Sequence, residues 1–578
     1  MKTLGLITSS LLLIAGAFAQ QQVTVTLPSK SDNIKVPSHF HGLSLELTQM
    51  NDYFGMDPSH HDAGFMQLLR NIKDRTGSLM LRVGGNSQDT AFPDESIVGG
   101  IEKTSELAVR VNSAATTFNV KVSSRVFDVM NSVSQVTGAK WMFGLNFEDP
   151  NNMDSAKVIG KQAVEKLGDN LFAMQIGNEP DLYSKHGIRT ADWGIPQYID
   201  EWSTWANTLH QEFGASLKKK DIFTGAVICC SWNISDVLHA GFMEHGNNMD
   251  LINSMTVQKY SSNNCFGKPK GDHTDYLNHQ WIVGIPKQLY SEAAAVAKKT
   301  GKMLIMGETN TAACGGLPNV SDTYVSALWG VDWLMYLASL GFSSASLQIG
   351  GKKTLYNPMN NIDGTWHPAP IYYSSMVVTE AVGTDKDAQF ENIDLGSTSL
   401  SSYAVFHKEQ FKYAVLLNTD ITQEANFKLQ GGWAQVPSEV KIKRLVAPHF
   451  EERNNITWGG QTFNGANDGR LQGDLVIETV KCEADGCMIK LPPTSVAVVG
   501  TEIDIVNATS VTENPYVDAI NGLGNSGGSS SGGSNGSGSG TNANGASTSS
   551  GSVSSVKSNL MVGSAFLGLI SVAVVSHF

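Results

Sequence analysis

The feature that most constrains the fold is a regular alternation of short apolar runs with helical stretches over residues 37–385. Eight runs of strand length lie in this segment, at residues 42–47, 79–83, 141–146, 172–177, 222–229, 254–258, 303–307 and 345–349. Strands that alternate with helices form parallel sheets, because each helix carries the chain back across one face of the sheet. Eight such units predict an α/β fold, a (β/α)8 TIM barrel.

A second domain follows the barrel, because the sequence pattern changes after residue 385. Residues 386–510 consist of short alternating runs separated by turn residues, which is typical of an antiparallel β-sandwich. Residues 20–36, ahead of the barrel, also contain an alternating run. A closed barrel has no free edge for an extra strand, so we expect this segment to join the sandwich.

The first 19 residues have the three parts of a secretory signal peptide. Lys2 supplies a basic start, residues 4–18 are apolar, and Ala17-Phe18-Ala19 has the small residues of a cleavage site. The alternative is a membrane anchor, but the apolar run is too short to span a bilayer comfortably. We therefore expect cleavage after Ala19 and a secreted protein.

The C-terminal end has the pattern of a signal for attachment of a GPI lipid anchor. Residues 511–558 form a Gly/Ser-rich linker, whose composition cannot bury enough apolar surface to fold. Residues 559–578 are mostly apolar and have no basic tail. We expect lipidation near Ser549, with Asn544 as an alternative site, and a protein tethered to the cell surface. A tail-anchor helix is the competing interpretation.

Charge and cysteine content restrict the functional class. The 578-residue chain has a net charge of −13 and no basic cluster, which disfavours nucleic acid as a partner. Its six cysteines have no metal-binding spacing, and an exported protein keeps its cysteines oxidised. Cys482 and Cys487 bracket a four-residue turn and predict a local disulfide. Sequons for N-glycosylation begin at Asn233, Asn319, Asn455, Asn507 and Asn535.

Two glutamates stand at the carboxyl ends of predicted barrel strands, where the active sites of this fold are built. Glu179 follows the fourth strand in Gly177-Asn178-Glu179-Pro180, and Glu308 follows the seventh in Gly307-Glu308-Thr309. Retaining glycosidases use two carboxyl groups about 5–5.5 Å apart, of which one protonates the leaving oxygen and the other attacks the anomeric carbon. We predict that Glu179 is the acid/base and that Glu308 is the nucleophile.

These motifs and two others resemble those of glycoside hydrolase clan A, family 79, the β-glucuronidase and heparanase-like group. The other two are Leu81-Arg82-Val83-Gly84-Gly85-Asn86 at the second strand and Gln258-Lys259-Tyr260 at the sixth. The resemblance implies that Asn178 binds the sugar 2-hydroxyl and that Tyr260 and Arg82 donate hydrogen bonds to Glu308. For Arg82, a structural salt bridge in the barrel mouth is an equal alternative.

The loops expected to bind a glucuronate carboxylate depart from the family pattern at one point. The family places a tyrosine followed by glycines after the nucleophile, whereas this chain has Ala312-Ala313-Cys314-Gly315-Gly316. Gly315 and Gly316 retain backbone N–H donors for a carboxylate. After the eighth strand, Tyr356, Lys352 and Lys353 are further candidate donors. A solvated basic loop is an equal interpretation for the two lysines.

A disulfide is expected beside this site. Cys265 lies in the loop after the sixth strand and Cys314 in the loop after the seventh, and loops of adjacent strands approach each other closely. We expect a Cys265–Cys314 bond, although pairing of either cysteine with Cys229 or Cys230 stays open. Weaker candidates for the site are Glu46, Asn146, Trp366 and His367. Of these, Trp366 is expected to pack between the domains rather than stack on a sugar.

The sequence therefore predicts a retaining β-glycoside hydrolase of the cell surface, a β-glucuronidase that acts by double displacement. This chemistry requires no metal or organic cofactor. We expect an oligo- or polysaccharide substrate, a monomer, and membrane contact only through the lipid anchor. Two alternatives stay open. One is a neutral-sugar β-glycosidase of the β-glucosidase or β-xylosidase type on the same fold, and the other is a non-catalytic glycan-binding wall protein.

Overall fold

The computed structural model describes residues 21–107, 118–351, 354–466 and 468–506. The predicted signal peptide, linker and anchor signal lie outside these ranges, as do Lys352, Lys353, Asn507, Asn535 and Ser549. Among the helices of the described ranges, none combines the length and the apolar character that a membrane crossing requires.

The strands of the described residues are numbered in chain order. They are β1 (Gln21–Leu27), β2 (His41–Glu46), β3 (Leu79–Gly84), β4 (Ala91–Pro93), β5 (Ile101–Leu107), β6 (Phe118–Val122), β7 (Ala139–Leu145), β8 (Leu171–Ile176), β9 (Phe223–Ile228), β10 (Ile252–Asn263), β11 (Met303–Ala313), β12 (Ser344–Ile349), β13 (Met359–Ile362), β14 (Thr365–Pro368), β15 (Gln389–Ile393), β16 (Leu400–His407), β17 (Gln410–Asn418), β18 (Ala425–Gly431), β19 (Glu439–Val446), β20 (Thr457–Trp458), β21 (Glu478–Lys481), β22 (Cys487–Leu491) and β23 (Ser495–Gly500).

The α-helices are numbered in the same way. They are α1 (Met50–Phe54), α2 (Ala63–Thr76), α3 (Arg125–Thr137), α4 (Asp154–Leu167), α5 (Ile195–Phe213), α6 (Ile234–His239), α7 (Asn248–Leu251), α8 (His273–Tyr276), α9 (His279–Thr300), α10 (Tyr324–Leu340) and α11 (Tyr372–Val382).

Eight parallel strands close into a barrel in the order β2, β3, β7, β8, β9, β10, β11 and β12, and β12 pairs with β2 to complete the ring. Each of them overlaps one of the eight runs read from the sequence, so the predicted barrel is confirmed. Helices cover the outside, and strands such as β3 and β8 are therefore buried at every position. A small sheet formed by β4, β6 and β5 is inserted between β3 and α3.

Strands β10 and β11 run further than the sequence predicts. Their pairing continues beyond the rim of the barrel to Asn263 and Ala313. The register shifts between Val257 and Gln258, and this irregularity places Gln258 opposite Glu308. Glu308 therefore lies inside a strand rather than after its end. The expected loop is absent because the partner strand holds these polar residues in extended backbone.

The structure contains three disulfides among its described residues. Cys265–Cys314 lies where the extended strands β10 and β11 end, and Cys482–Cys487 closes the turn between β21 and β22, as the sequence predicts. The remaining pair, Cys229 and Cys230, are adjacent residues bonded to each other after β9. This bond removes both as partners for Cys265 or Cys314.

The second domain is a sandwich of two sheets. The larger sheet has the order β15, β16, β17, β23, β19 and β20, with β21 also paired to β19, and the smaller has the order β1, β18 and β22. β1 runs parallel to β18, with Gln21 opposite Ala425. Side chains of both sheets, among them Val25, Phe427 and Leu416, form the core between them.

Strands β16 and β23 of the larger sheet are buried on both faces, because the second face of the sheet packs on barrel helices. Along β16, Ala404 and Phe406 belong to the sandwich core, whereas Tyr403 and Val405 belong to the core that the barrel helices share. Helix α10 packs against both the barrel and this sheet and is buried almost all round. The two domains are therefore joined by a continuous apolar interior.

Three charged side chains are buried where the domains meet. Glu380 of α11 accepts hydrogen bonds from Arg75 Nε of α2 at 3.0 Å and from Lys443 Nζ of β19 at 2.7 Å. The three side chains are at most 6% exposed. Burial lowers the pKa of Lys443, and the charge of Glu380 works against that shift. One carboxylate thus links two barrel helices to the sandwich.

Candidate active site

The loop that carries Glu179 makes a sharp turn directly after β8. Gly177 has a φ of 77°, and a Cβ at this position would lie 2.7 Å from the Tyr183 hydroxyl and 2.8 Å from Phe147 Cδ1. Only glycine fits here without displacing both rings. Glu179 itself has a left-handed backbone with a φ of 49°, and its amide donates to the Val227 carbonyl of β9 at 3.1 Å. The fourth and fifth strands together fix where this carboxyl group stands.

A buried aspartate, Asp89, supports this loop from the side of the second strand. Its Oδ2 accepts from the Asn178 amide at 3.2 Å and from the Tyr183 hydroxyl at 2.7 Å. Its Oδ1 accepts from the Phe147 amide at 3.1 Å. These groups follow β3, β7 and β8, which are neighbours in the barrel. One carboxylate therefore holds the loops after three consecutive strands in fixed positions.

Glu308 on β11 is held by two donors. Its Oε2 accepts from Arg82 Nη1 at 2.8 Å, and its Oε1 accepts from the Tyr260 hydroxyl at 2.7 Å. The Arg82 side chain is fully buried, so the salt bridge is shielded from solvent. Burial and the nearby charge of Glu308 raise the pKa of Tyr260, so its hydroxyl keeps its proton and remains a donor. The two interpretations of Arg82 coincide here, because the same contact is a salt bridge in the barrel mouth and orients Glu308.

Glu308 and Glu179 are connected by a chain of polar contacts. Arg82 Nη2 donates to Asn178 Oδ1 at 2.6 Å, and Asn178 Nδ2 donates to Asn86 Oδ1 at 3.2 Å. The amide group of Gln258 lies 3.0 Å from Asn178 Oδ1 and 2.7 Å from Glu179 Oε1. An amide has a donor end and an acceptor end. Gln258 can therefore accept from a protonated Glu179 or, turned over, donate to an ionised one.

The pKa of Glu179 is raised well above the ordinary value for a glutamate. Burial is the largest cause because it penalises the charged form, and the negative charges of Glu308 and Asp181 add to it. Arg82 acts in the opposite direction. A raised pKa keeps this carboxyl group protonated at a pH where an exposed glutamate is ionised. Glu179 is thus suited to donate a proton, while the charge of Glu308 is compensated by Arg82.

Both glutamates line one cavity of about 870 Å³ at the carboxyl ends of the barrel strands. Of the other residues that the sequence singled out, Tyr260, Gly315 and Tyr356 line it as well. Arg82 and Asn178 are buried behind the lining and act on it through their contacts. The cavity has the size of small-molecule sites in proteins, so it admits a substrate over both carboxyl groups.

A third carboxylate, Glu46 at the end of β2, also lines the cavity. Its Oε1 accepts from the Asn86 amide at 3.2 Å, and its Oε2 accepts from the Ser87 amide at 3.1 Å and the Ser87 hydroxyl at 2.6 Å. Burial raises the pKa of Glu46, the hydrogen bonds of Ser87 oppose that shift, and the charge of Glu308 adds to it. Glu46 supplies a further acceptor beside the nucleophile position.

The two glycines expected to bind a carboxylate are placed differently. Gly315 lines the cavity and has a φ of 93°. Gly316 lies beneath it, because a Cβ there would stand 2.8 Å from Ser321 Oγ and its carbonyl accepts from Asn264 Nδ2 at 3.1 Å. The ring of Tyr356 lies 5.9 Å from that of Tyr260. The structure therefore brings Gly315 and Tyr356 to the cavity surface, and it does not bring Gly316 there.

The weaker sequence candidates other than Glu46 lie outside the lining of this cavity. Asn146 donates to the Ala91 carbonyl at 2.9 Å and supports the loop after β7. Trp366 is 5% exposed, and its ring packs 4.8 Å from that of Phe65 and 5.4 Å from that of Tyr53, so it fills space as a packing residue, but against the barrel helices rather than between the domains. His367 is exposed on β14. The sequon residues Asn233, Asn319 and Asn455 are exposed, and their occupancy stays a prediction.

Sequence reasoning missed four contributors to the site. They are Asp89, Asp181, Gln258 and the Cys229–Cys230 disulfide, which lines the cavity. Gln258 stands two residues before Tyr260, and Asp181 follows Glu179 by two residues. Their closeness in sequence to Tyr260 and Glu179 is the signal that could have identified these two as site residues. For Asp89 there was none, because its three partners come from other strands.

The sequence is similar to one protein-family model and to known proteins. Residues 402–498 match the model of the glycosyl hydrolase family 79 C-terminal β domain. A β-glucuronidase of Aspergillus niger is 26% identical over 513 residues, which cover 79% of this chain and 90% of that protein. A β-glucuronidase of Neurospora crassa is 24% identical over 481 residues, which cover 74% of this chain and 84% of that protein.

Solved structures support the fold. A 4-O-α-L-rhamnosyl-β-D-glucuronidase from Fusarium oxysporum aligns with a TM-score of 0.70 and 20% identity, covering 83% of this chain and 100% of that one. The family 51 arabinofuranosidase of Xanthomonas axonopodis aligns with a TM-score of 0.57 and 13% identity, covering 82% and 99%. The alignments extend over nearly all of both solved chains, so the fold is shared over their full length.

Proposed function

Because the chain belongs to glycoside hydrolase family 79, we propose that it is a retaining β-glucuronidase that acts on glucuronic-acid-containing glycans by double displacement. Glu179 is the acid/base and Glu308 is the nucleophile. One observation carries this assignment. Two carboxyl groups share a cavity, and their surroundings differ in the way the two roles require, since burial keeps a proton on Glu179 while Arg82 and Tyr260 hold Glu308.

In the first step, Glu308 attacks the anomeric carbon and Glu179 protonates the leaving oxygen. Attack needs an ionised and oriented carboxylate, which the fixed donors on both Glu308 oxygens provide. The bond to the leaving group breaks as the proton arrives, so no free alkoxide forms. The product is a glycosyl ester on Glu308 and a neutral alcohol.

In the second step, water hydrolyses that ester and Glu179 acts as the base. The ester carries no charge on Glu308, and that charge is one of the causes that raise the pKa of Glu179. Its loss lowers the pKa, and Glu179 then takes a proton from the attacking water. The charge on Glu308 thus favours a protonated Glu179 before the first step, and the loss of that charge favours an ionised Glu179 before the second. Gln258 accompanies the change, because its amide can contact either form of Glu179.

Recognition of the glucuronate carboxylate is assigned to Gly315 and Tyr356. Both line the cavity on the side of the seventh and eighth strands, where an amide N–H and a phenol are suitable donors for a carboxylate. A neutral-sugar β-glycosidase is the second candidate, and one observation favours it. Position 313 is an alanine where the family has a tyrosine that contacts the sugar acid.

Hydrolysis of three 4-nitrophenyl glycosides separates these candidates. We expect the β-glucuronide to be cleaved with a kcat/KM at least tenfold above that of the β-glucoside and β-xyloside. A preference for a neutral glycoside would reject the glucuronidase assignment while retaining the mechanism. Lack of turnover of all three would favour a non-catalytic glycan-binding protein.

Trapping with a mechanism-based 2-fluoro glycosyl fluoride identifies the nucleophile directly. We expect peptide mapping to find the sugar on Glu308. The Glu308→Gln variant should lose turnover by about four orders of magnitude and keep the wild-type melting temperature within a few degrees. Glu451→Gln, an exposed glutamate of the sandwich, is the matched control. A label elsewhere, or an active Glu308→Gln protein, would contradict the assignment.

We also propose that the enzyme acts outside the cell and is attached to the cell surface by a GPI anchor. The sequence signals at both ends support this location, and three disulfides are compatible with an oxidising compartment. Treatment of intact cells with a phosphatidylinositol-specific phospholipase C should release the activity. Activity that stays with the cells after this treatment, but is released by detergent, would contradict the lipid anchor.

A further inference from the structure

The Cys229–Cys230 disulfide stands immediately beside the acid/base. A carboxylate oxygen of Glu179 and the two sulfur atoms lie within 4.8 Å of one another. Cys229 is partly buried and Cys230 is exposed, and both line the cavity that holds the two glutamates. Because the sulfurs are bonded to each other, they present an apolar, polarizable surface to the cavity.

The loop that bears this disulfide is held in place by Asp181. This carboxylate is 2% exposed, and it accepts from the amides of Cys229 at 3.1 Å, Cys230 at 2.8 Å and Ser231 at 2.7 Å. Asp181 lies two residues after Glu179, in the loop after the fourth strand. The disulfide and the acid/base are therefore fixed to each other through one buried carboxylate, and the sulfur surface does not move independently of Glu179.

The chemistry of the proposed reaction determines what part of the substrate reaches this surface. The acid/base protonates the oxygen of the leaving group, so the leaving group lies against the surroundings of Glu179. The sugar that is attacked lies over Glu308, on the side of the seventh and eighth strands, where Gly315 and Tyr356 line the cavity. Leu182, the residue after Asp181, also lines the cavity and adds apolar surface to it.

We propose that the Cys229–Cys230 disulfide forms the wall of the leaving-group subsite and packs against the apolar face of the aglycone's first sugar ring. This inference rests on the proposed function for the position of the leaving group. The disulfide then determines how well a glycan is cleaved relative to a glucuronide with a small aglycone, and it has no part in the bond-making steps at the anomeric carbon.

Two substrates with similar leaving-group chemistry test the subsite. Methyl β-glucuronide has an alkyl aglycone too small to reach the sulfurs, and a β-glucuronosyl-(1→6)-galactose disaccharide fills the subsite. We expect the Cys229→Ser/Cys230→Ser variant to lose about tenfold in kcat/KM on the disaccharide and less than twofold on the methyl glucuronide. The Cys482→Ser/Cys487→Ser variant, which removes the disulfide in the sandwich, should leave the ratio of the two unchanged.

The trapped enzyme gives an independent measurement. Reactivation of the 2-fluoro glycosyl enzyme by water needs no occupied leaving-group subsite, whereas reactivation by transfer to galactose does. The Cys229→Ser/Cys230→Ser variant should retain the rate with water and lose about tenfold in the rate with galactose. Equal losses for both substrates or both acceptors would overturn the proposal, because they would show that the disulfide only supports Glu179. Unchanged rates on the disaccharide and galactose would also overturn it.

A third experiment keeps both cysteines. A crystal of Glu179→Gln soaked with the uncleaved disaccharide should show the galactose ring over the two sulfurs, and a ring elsewhere would refute the subsite. Failure of the proposed function is distinguishable, because wild-type enzyme would then cleave methyl β-glucoside instead of methyl β-glucuronide. In that case the corresponding pair of neutral glycosides gives the same ratio test.

Discussion

Among single residues, Glu179 shows how the site exchanges stability for chemistry. Its pKa in the folded protein is raised, so the folded state holds the proton more tightly than the unfolded state does. Stability is therefore lost as pH rises from the ordinary glutamate value toward the folded value, where the buried group must ionise. This loss accompanies any carboxyl group that burial prepares as a proton donor.

We predict that Glu179→Gln is more stable than wild type at pH 7 and equal to it at pH 4. Glutamine fills nearly the same volume and cannot ionise, so the variant escapes the pH-dependent loss. Melting curves at the two pH values should show a gain of a few degrees at pH 7 only. Glu451→Gln, whose side chain is exposed, should show no gain at either pH. A variant gain that is larger at pH 4 would contradict the shift.

Asp89 is expected to matter for activity although it lies outside the cavity lining. Asp89→Asn places an amide opposite three donors, so at least one of them loses its acceptor, at a cost of about 1–3 kcal/mol. We expect kcat/KM to fall by about tenfold or more because the Glu179 loop loosens. Steady-state kinetics and melting curves measure both effects. Asp169→Asn, at an exposed position, should behave as wild type, and an unchanged Asp89→Asn enzyme would refute this role.

The sequence indicates residues that are placed in the site by the end of a single strand. It does not indicate residues whose place in the site depends on contacts with several strands. Glu179 was found because barrel strands present their carboxyl ends to one site. Asp89 was not found, because its contacts depend on how the loops after three strands cross. The orientation of Gln258 likewise depends on the protonation of its neighbour, which no sequence pattern encodes.

At the scale of elements, the existence of the barrel strands was predictable and their lengths were not. Apolar runs mark the part of β10 and β11 inside the barrel, but the extension to Asn263 and Ala313 is mostly polar and carries no strand pattern. Pairing between the two strands and the Cys265–Cys314 bond keep the extension regular. The sequence does not indicate the inserted sheet, because β4 and β6 are short and β5 is mostly polar.

The contact between α2, α11 and β19 through Glu380 gives a prediction for stability. Glu380→Leu leaves Arg75 and Lys443 buried without a counter-charge and should lower the free energy of unfolding by about 3–5 kcal/mol. Denaturant unfolding measures the change. The exposed pair of Lys35 and Glu409 provides the control, and Glu409→Gln should change the value by less than about 1 kcal/mol. Equal effects of the two substitutions would contradict the buried network.

At the scale of the whole molecule, the two domains behave as one folded unit. The sandwich covers part of α10, where the Tyr403 hydroxyl of β16 donates to the Asp332 carbonyl at 3.1 Å, and both domains contribute to one core. The sequence pattern indicates a barrel followed by a β-sandwich, but it does not indicate that the two domains depend on each other. An all-buried helix has no polar face by which the sequence would mark its two different neighbours.

We therefore predict that residues 37–385 do not form a stable enzyme alone. Removal of the sandwich exposes the apolar side of α10 to water, and exposed patches of this kind cause aggregation. Expression of this fragment should yield insoluble or inactive protein, whereas a chain that ends at residue 510 should keep wild-type activity. Solubility and turnover measure the outcome, and a soluble active barrel would refute the interdependence.

The parallel pairing of β1 with β18 delays the folding of the N-terminal strand during synthesis. β1 leaves the ribosome before any part of the barrel, yet its partner is made only after the barrel is complete. Val25 and Leu27 stay uncovered during that interval, since the other residues of their core belong to strands of the sandwich that are made later. A nascent chain that stops before residue 425 would thus expose an apolar segment near its N-terminus. A chaperone that binds short apolar strands could bind this segment until translation is nearly finished.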